Sequence, residues 1–223
     1  MPAESAVLVT PDRRERKKRE TRRRLQVATL RLAAEHGLAR VTAEQIAEAA
    51  DVSPRTFFNY FPSKEAALAG EDPERDDRLR TALVRRPAGE PPLAALRAVL
   101  LDLAAELVDG REEWQARLTV VRRDPHLLAA GFASWNRLEQ ALALGVAERT
   151  GLDVERDLYP SLLVASTVGA LRTAALRWGA DAGSSRLPAL VAEAIDMLGA
   201  GLPPPSAARE ERPTTRAGRD RKS

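Results

Sequence analysis

The sequence predicts an all-α protein, with an N-terminal three-helix helix-turn-helix unit followed by a larger helical domain. Three observations carry this. Apolar residues recur at helical spacing along most of the chain, and no segment from Leu93 to Leu202 alternates like a half-buried strand. Clusters of Pro and Gly, as at Pro87–Pro92, interrupt the periodic segments. The stretch Val41–Lys64, VTAEQIAEAADVSPRTFFNYFPSK, holds two helix-start signatures in immediate succession.

Taken in order, residues 1–12 are expected to be disordered. The block Arg13–Arg24, RRERKKRETRRR, leads into an amphipathic helix with the inner stripe Leu25, Ala28, Leu32 and Ala33 and a stop at His36-Gly37. Thr42 then caps a short helix, Gln45 completes a capping box, and Val41 and Ile46 are spaced for a hydrophobic staple. Ala50-Asp51-Val52 is long enough only for a tight turn. Ser53 caps the second helix, Pro54 takes its first position, and Val52 with Phe57 makes another staple. Within this helix Phe57, Tyr60 and Phe61 share the inner side, while Arg55, Thr56 and Asn59 point outward. Ser63 opens a connecting helix expected to reach about Arg86, with an irregularity at Asp72-Pro73.

Beyond the Pro-rich break, the stripe Leu96, Leu100, Leu103 and Leu107 marks a helix over Leu93–Val108. Trp114, Leu118 and Val121 mark the next, over Glu112–Val121, and Asp124-Pro125 ends it. Leu127–Arg149 follows with Phe132, Trp135, Leu138 and Leu142, then Asp157–Trp178 and Leu187–Leu198. The turn between these last two is marked by Gly179, Gly183 and Pro188. The total is roughly nine helices. The domains are expected at 13–70 and 71–202, with a disordered basic tail at 203–223.

Helix, tight turn, helix is the geometry that presents a second helix to the major groove. The run from Arg24 to Leu68 also resembles the DNA-binding domain of the tetracycline-repressor (TetR) family. The matching residues are Thr42, Ile46-Ala47, Val52-Ser53, Thr56-Phe57-Phe58, Tyr60-Phe61 and Lys64-Glu65-Ala66-Ala67-Leu68. Two positions depart from the family pattern. Asp51 stands where Gly is usual, and Phe58, often Tyr in the family, offers no hydroxyl to a phosphate. The resemblance implies a two-part all-α regulator that acts as a homodimer on a double-stranded operator.

The expected DNA contacts are Thr42, Ser53, Arg55, Thr56, Asn59, Tyr60 and Lys64, with Arg22 and Arg23 in the basic block. The Arg55 fork matches the O6 and N7 atoms of guanine. Tyr60 can pack its ring and place its hydroxyl on a phosphate. Lys64, in the first turn of a helix, opposes the dipole until a phosphate docks there, and the resemblance implies the same contact. The basic block is read as an arm that enters the minor groove or tracks phosphates.

Charge is distributed to suit a polyanion held at one end: +4 over 1–70, −4 over 71–202 and +3 over 203–223. The absence of Cys excludes disulfides and thiolate metal sites. No apolar run approaches the roughly 20 residues of a membrane span, and the first ten residues do not read as a signal peptide. A cytoplasmic protein without membrane partners is expected.

Two histidines, no phosphate loop, no metal-ligand spacing and no nucleophile elbow argue against an enzyme, and no cofactor is expected. Leu103, Leu107, Trp114, Leu118, Phe132, Trp135 and Leu138 are instead placed to line an apolar cavity for a small effector. Arg122, Arg123 and His126 are read as its anion-attracting mouth, and a filled aromatic core is the competing reading. Leu162, Ala165, Gly169 and Leu176, with Leu190, Val191, Ala194 and Leu198, form stripes suited to a dimer interface or to a core within one subunit. The expected function is a dimeric, effector-released repressor. The alternatives are a regulator controlled by a protein partner and an all-α interaction or enzyme module whose helix-turn-helix is structural.

Overall fold

The computed structural model describes residues 13–180 and 186–202. Those residues form ten α-helices and no strand. The helices are α1 (Arg13–His36), α2 (Ala43–Ala49), α3 (Pro54–Tyr60), α4 (Lys64–Ala69), α5 (Pro73–Val84), α6 (Pro92–Asp109), α7 (Arg111–Arg123), α8 (Leu128–Thr150), α9 (Leu158–Ala180) and α10 (Leu187–Gly199). The expectations for 1–12, for Gly183 and for 203–223 fall outside the described residues.

The start signals act as the sequence predicts. Thr42 Oγ1 accepts from the Gln45 N–H at 3.3 Å while the Gln45 side chain accepts from the Thr42 N–H at 2.9 Å. Ser53 Oγ accepts from the Thr56 N–H at 3.1 Å, and Ser63 does the same for Ala66. Asp51 closes the turn between α2 and α3 with φ 54°, a left-handed conformation that Asp tolerates better than most residues.

The connector differs from expectation. Gly70 adopts φ +76° and caps the end of α4. Asp72 then caps a new helix by accepting from the Arg75 N–H, and Pro73 takes its first turn. A left-handed Gly and a residue without an N–H, three positions apart, interrupt the hydrogen-bond ladder. The single helix expected over Ser63–Arg86 is therefore two, α4 and α5.

Helix α1 has two apolar faces. Leu25 and Ala28 pack with Ile46, Ala47, Phe57 and Phe61 in the helix-turn-helix core. Leu30 and Ala33 pack with Leu38 and Leu68 against Val120 and Leu127 of the second domain. Leu32 is only partly buried. The second cluster joins the two domains, so α7 rests on α1 and α4.

Helices α5–α10 enclose the main core, which includes Leu96, Leu100, Leu142, Val168, Leu171 and Trp178. Each leucine there contributes roughly 1.5–3 kcal/mol by leaving water. Arg149 on α8 donates to the carbonyls of Leu83, Arg86, Pro87 and Glu90 at 2.7–3.1 Å, holding the loop after α5 in place.

Candidate DNA-binding surface and effector cavity

The two sides of α3 divide as its sequence pattern requires. Phe57 and Phe61 are fully buried, and Tyr60 packs against the same core. Arg55 and Asn59 are exposed, Thr56 is half-buried, and Phe58 stands out as an aromatic 55% exposed. Thr42 and Ser53, both exposed, use their side-chain oxygens as caps, and Ser53 Oγ also lies 2.9 Å from Thr56 Oγ1. The outward side of α3 is thus open to a duplex. Its apolar side is fixed by the domain core.

Three expected DNA contacts, Arg22, Lys64 and Arg23, have partners within the chain. Arg22 is buried, 6% exposed. Its Nη1 donates to the carbonyls of Tyr60 at 3.2 Å and Glu71 at 3.1 Å, and Nε lies 3.3 Å from Asp72. The guanidinium also sits 5.5 Å from the Tyr60 ring centroid and 5.2 Å from that of Phe61. Arg22 therefore ties α1 to the end of α3 and to the start of α5.

Lys64 points away from its own helix terminus. Its Nζ donates to the carbonyls of Leu38 at 2.8 Å, Val41 at 2.9 Å and Ala39 at 3.4 Å. Three acceptors match the three protons of an ammonium, so a phosphate contact requires Lys64 to give up one of these carbonyls. Arg23 reaches the second domain, with Nη2 2.7 Å from Glu113 Oε1 on α7. Burial pushes the Glu113 carboxyl up, but the Arg23 hydrogen bond, a backbone bond and the charges of Arg23 and Arg117 hold it below its ordinary range. The basic block itself is helical from Arg13, not an extended arm, and exposes Arg13, Arg14, Arg16 and Lys17.

A cavity of about 210 Å³ is lined by residues of α4 to α9. All seven residues expected to form it do so: Leu103, Leu107, Trp114, Leu118, Phe132, Trp135 and Leu138. Trp114 and Trp135 meet edge to face with centroids 6.4 Å apart, and Trp114 Nε1 donates to the Ala175 carbonyl at 3.2 Å. Phe132, 60% exposed, lies on the open side with Leu128 and Leu176, whereas Leu103 and Leu138 are buried at the back. The aromatics pack on one another and still leave space. Gly179 permits this packing, since a Cβ there would come within 2.6 Å of Leu118 and 3.0 Å of Trp114.

The cations of the cavity are not those expected. Arg122, Arg123 and His126 are exposed and absent from its lining, which instead includes Arg75, Arg117 and Arg172 and no Asp or Glu. Arg117 donates its Nε to the Leu68 carbonyl at 2.6 Å, bridging α7 to α4. Burial, reinforced by the charge of Arg75 and opposed by Glu113, lowers its pKa to about 10, so it stays charged at neutral pH. A sign of it was present in the sequence. Arg117 falls on the inner stripe of α7, three residues after Trp114 and beside Leu118.

The expected dimer residues differ in where they lie. Leu162 and Ala165 are exposed, and a Cβ on Gly169 would meet open space. Leu158 on α9 and Met197 on α10 are also exposed, and neither belongs to the expected stripes. Leu190, Ala194 and Leu198 are half-buried. Val191 is fully buried with Leu187 and Ile195 in the subunit core, because that part of the α10 stripe faces α6 and α9. It is no interface residue. Leu176 lines the open side of the cavity.

A helix-turn-helix with a free outer side, joined to a helical domain that holds an apolar cavity, defines a DNA-binding regulator with a ligand-sized compartment. The chain belongs to the tetR family of bacterial regulatory proteins, whose model matches residues 26–69, while residues 90–203 match the MftR C-terminal domain. It is a transcriptional regulator, not an enzyme. It is 35% identical to the HTH-type transcriptional regulator TcmR of Streptomyces glaucescens over 84% of this chain and 87% of that protein. It is 30% identical to the putative mycofactocin biosynthesis transcriptional regulator MftR of Mycobacterium tuberculosis over 84% and 93% of the two chains. Among solved structures it is similar to the repressor FadR of Thermus thermophilus in complex with lauroyl-CoA. That likeness has a TM-score of 0.51 and 26% identity, and covers 83% of this chain and 97% of the other. Among the described residues no helix is long and apolar enough to cross a membrane.

Proposed function

We propose that the protein is a cytoplasmic, homodimeric repressor that binds a near-palindromic operator and leaves it when a small apolar or amphipathic molecule fills the cavity. The observation that carries this reading is the position of the cavity: its wall includes Ala69 and Gly70, at the end of the last helix of the DNA-binding unit. A ligand there touches the element that aims α3. Release requires that the ligand bind more tightly to an arrangement whose two α3 helices no longer match successive grooves. The lauroyl-CoA complex of the Thermus thermophilus relative supports an amphipathic ligand.

Arg55, Thr56, Asn59 and the Tyr60 hydroxyl serve as base and phosphate contacts, helped by Thr42 and Ser53. The exposed apolar side of α9 around Leu158 and Leu162, with Met197 of α10, serves as the dimer surface. A cavity beside α4 favours this reading over control by a protein partner acting on a filled core. Selection of duplexes from a randomised pool by the full-length protein tests it. Recovered sequences should be near-palindromes with half-sites about 34–36 Å apart, bound by two copies. Asymmetric sequences bound by one copy would refute the dimer reading.

A further inference from the structure

The cavity is apolar except for Ser134 and its arginines, and the arginines are informative. Arg75, Arg117 and Arg172 face the space with no carboxylate in the lining. Arg75 leans on Asp76 at 3.2 Å, and its Nε is buried without a hydrogen-bond partner. Among the described residues Arg117 has no ion-pair partner. The adjacent carboxylate on its own helix, Glu113, is held by Arg23 instead. A partly buried guanidinium without an ion-pair partner of its own gains from an anion, which it receives through paired hydrogen bonds.

Arg117 has a second role in the geometry. Among the described residues its one hydrogen bond is to the Leu68 carbonyl of α4, and its Nη2 lies 2.8 Å from where a Cβ on Gly70 would stand. Three residues along α7, Val120 packs with Leu68, Leu38 and Leu30 in the joint between the domains. The same side chain therefore faces the ligand space and holds the last helix of the DNA-binding unit.

Resting on the effector reading above, we infer that the effector is an amphipathic anion whose acid group is received by Arg117, and that this pairing competes with the Arg117–Leu68 bond and loosens α4 from α7. Arg117 is thus a ligand-recognition residue that also sets the position of the DNA-binding unit. The apolar part of the molecule lies against Trp114, Trp135 and Leu103. At about 210 Å³ the cavity falls below the roughly 300–1,000 Å³ of drug-sized sites, which suits a short chain or a small ring system.

The test uses octanoate and octan-1-ol, which share a chain and differ in charge, with the full-length protein. Binding is read through the fluorescence of the tryptophans lining the cavity, and DNA release through anisotropy of a selected duplex. Octanoate should bind the wild type at least tenfold more tightly than octan-1-ol. Arg117→Met should erase that preference and Arg117→Lys should keep part of it. At equal occupancy, octanoate should release DNA and octan-1-ol should not. Equal binding of the two probes, or no binding of either, overturns the anion assignment, and that comparison needs no variant to fold. A preference intact in Arg117→Met overturns the role of Arg117, and equal release by both probes overturns the competition with Leu68. Failure to bind any duplex without probe would refute the regulator reading alone, since the fluorescence arms do not involve DNA.

Discussion

Replacing Arg22 by Met separates a structural tie from a phosphate contact. The substitution keeps the apolar stem and removes a guanidinium that donates to two carbonyls and lies against Asp72 and Glu74. The buried Glu71 carbonyl loses its donor, and Asp72, with a side chain 16% exposed, loses its cation. Breaking a fully buried charge pair costs about 3–5 kcal/mol, and the partial exposure of Asp72 and Glu74 reduces this to about 2–4 kcal/mol. For a chain of this size each kcal/mol lowers Tm by about 2–4 °C, so a fall of roughly 4–16 °C is expected. Differential scanning calorimetry and urea unfolding read the change directly. A loss below about 0.5 kcal/mol, accompanied by a DNA salt slope shallower by about one unit, would show that Arg22 is a phosphate contact after all.

Lys64→Ala should cost about 1.5–3 kcal/mol in urea unfolding, because carbonyls at Leu38 and Val41 lose a charged donor. An unchanged stability with a shallower DNA salt slope would contradict this. Leu162→Glu should convert dimer to monomer in sedimentation with little change in the subunit's unfolding. Val191→Ala should lower unfolding stability by about 1.5–3 kcal/mol and leave the association state alone, and the reverse pattern would invalidate the division of these helices. Burial, only partly offset by Arg75, raises the Asp76 carboxyl above its ordinary value. The native state then holds that proton more tightly than the unfolded chain does, so stability falls as pH rises through that window. Asp76→Asn should therefore gain Tm relative to wild type as pH climbs from about 4, and a difference that is flat or falls with pH would contradict the assignment.

The local signals were legible because they depend on neighbours in sequence. Thr42, Ser53 and Ser63 cap as expected since a cap needs only the next three residues. The cavity lining was legible for a similar reason: large apolar residues on the inner stripes of three helices converge once those helices pack. The partners of the cations are hidden in the sequence because they are distant along the chain. Arg22 looks like one member of a solvated basic run, yet it lies three residues before Leu25 on the inner stripe of α1, and its acceptors are Tyr60 and Glu71. Lys64 has its acceptors at Leu38–Val41, which no spacing argument reveals. Arg117 reads as surface until Trp114, Leu118 and Val121 place it on the inner side of α7. For Val191 the stripe was right, but which half of it meets a neighbouring helix is decided by α6 and α9.

The central claim is that the outer side of α3 reads DNA. Its most direct test is the anisotropy of a selected duplex titrated with wild type and Arg55→Ala over about 50–200 mM salt. Wild type should bind with a steep negative salt slope, and Arg55→Ala should lose about 1–3 kcal/mol of discrimination at one base position per half-site while that slope changes little. A wild-type protein that ignores duplex DNA at the lowest salt, or an Arg55→Ala variant that weakens every sequence equally, would contradict it.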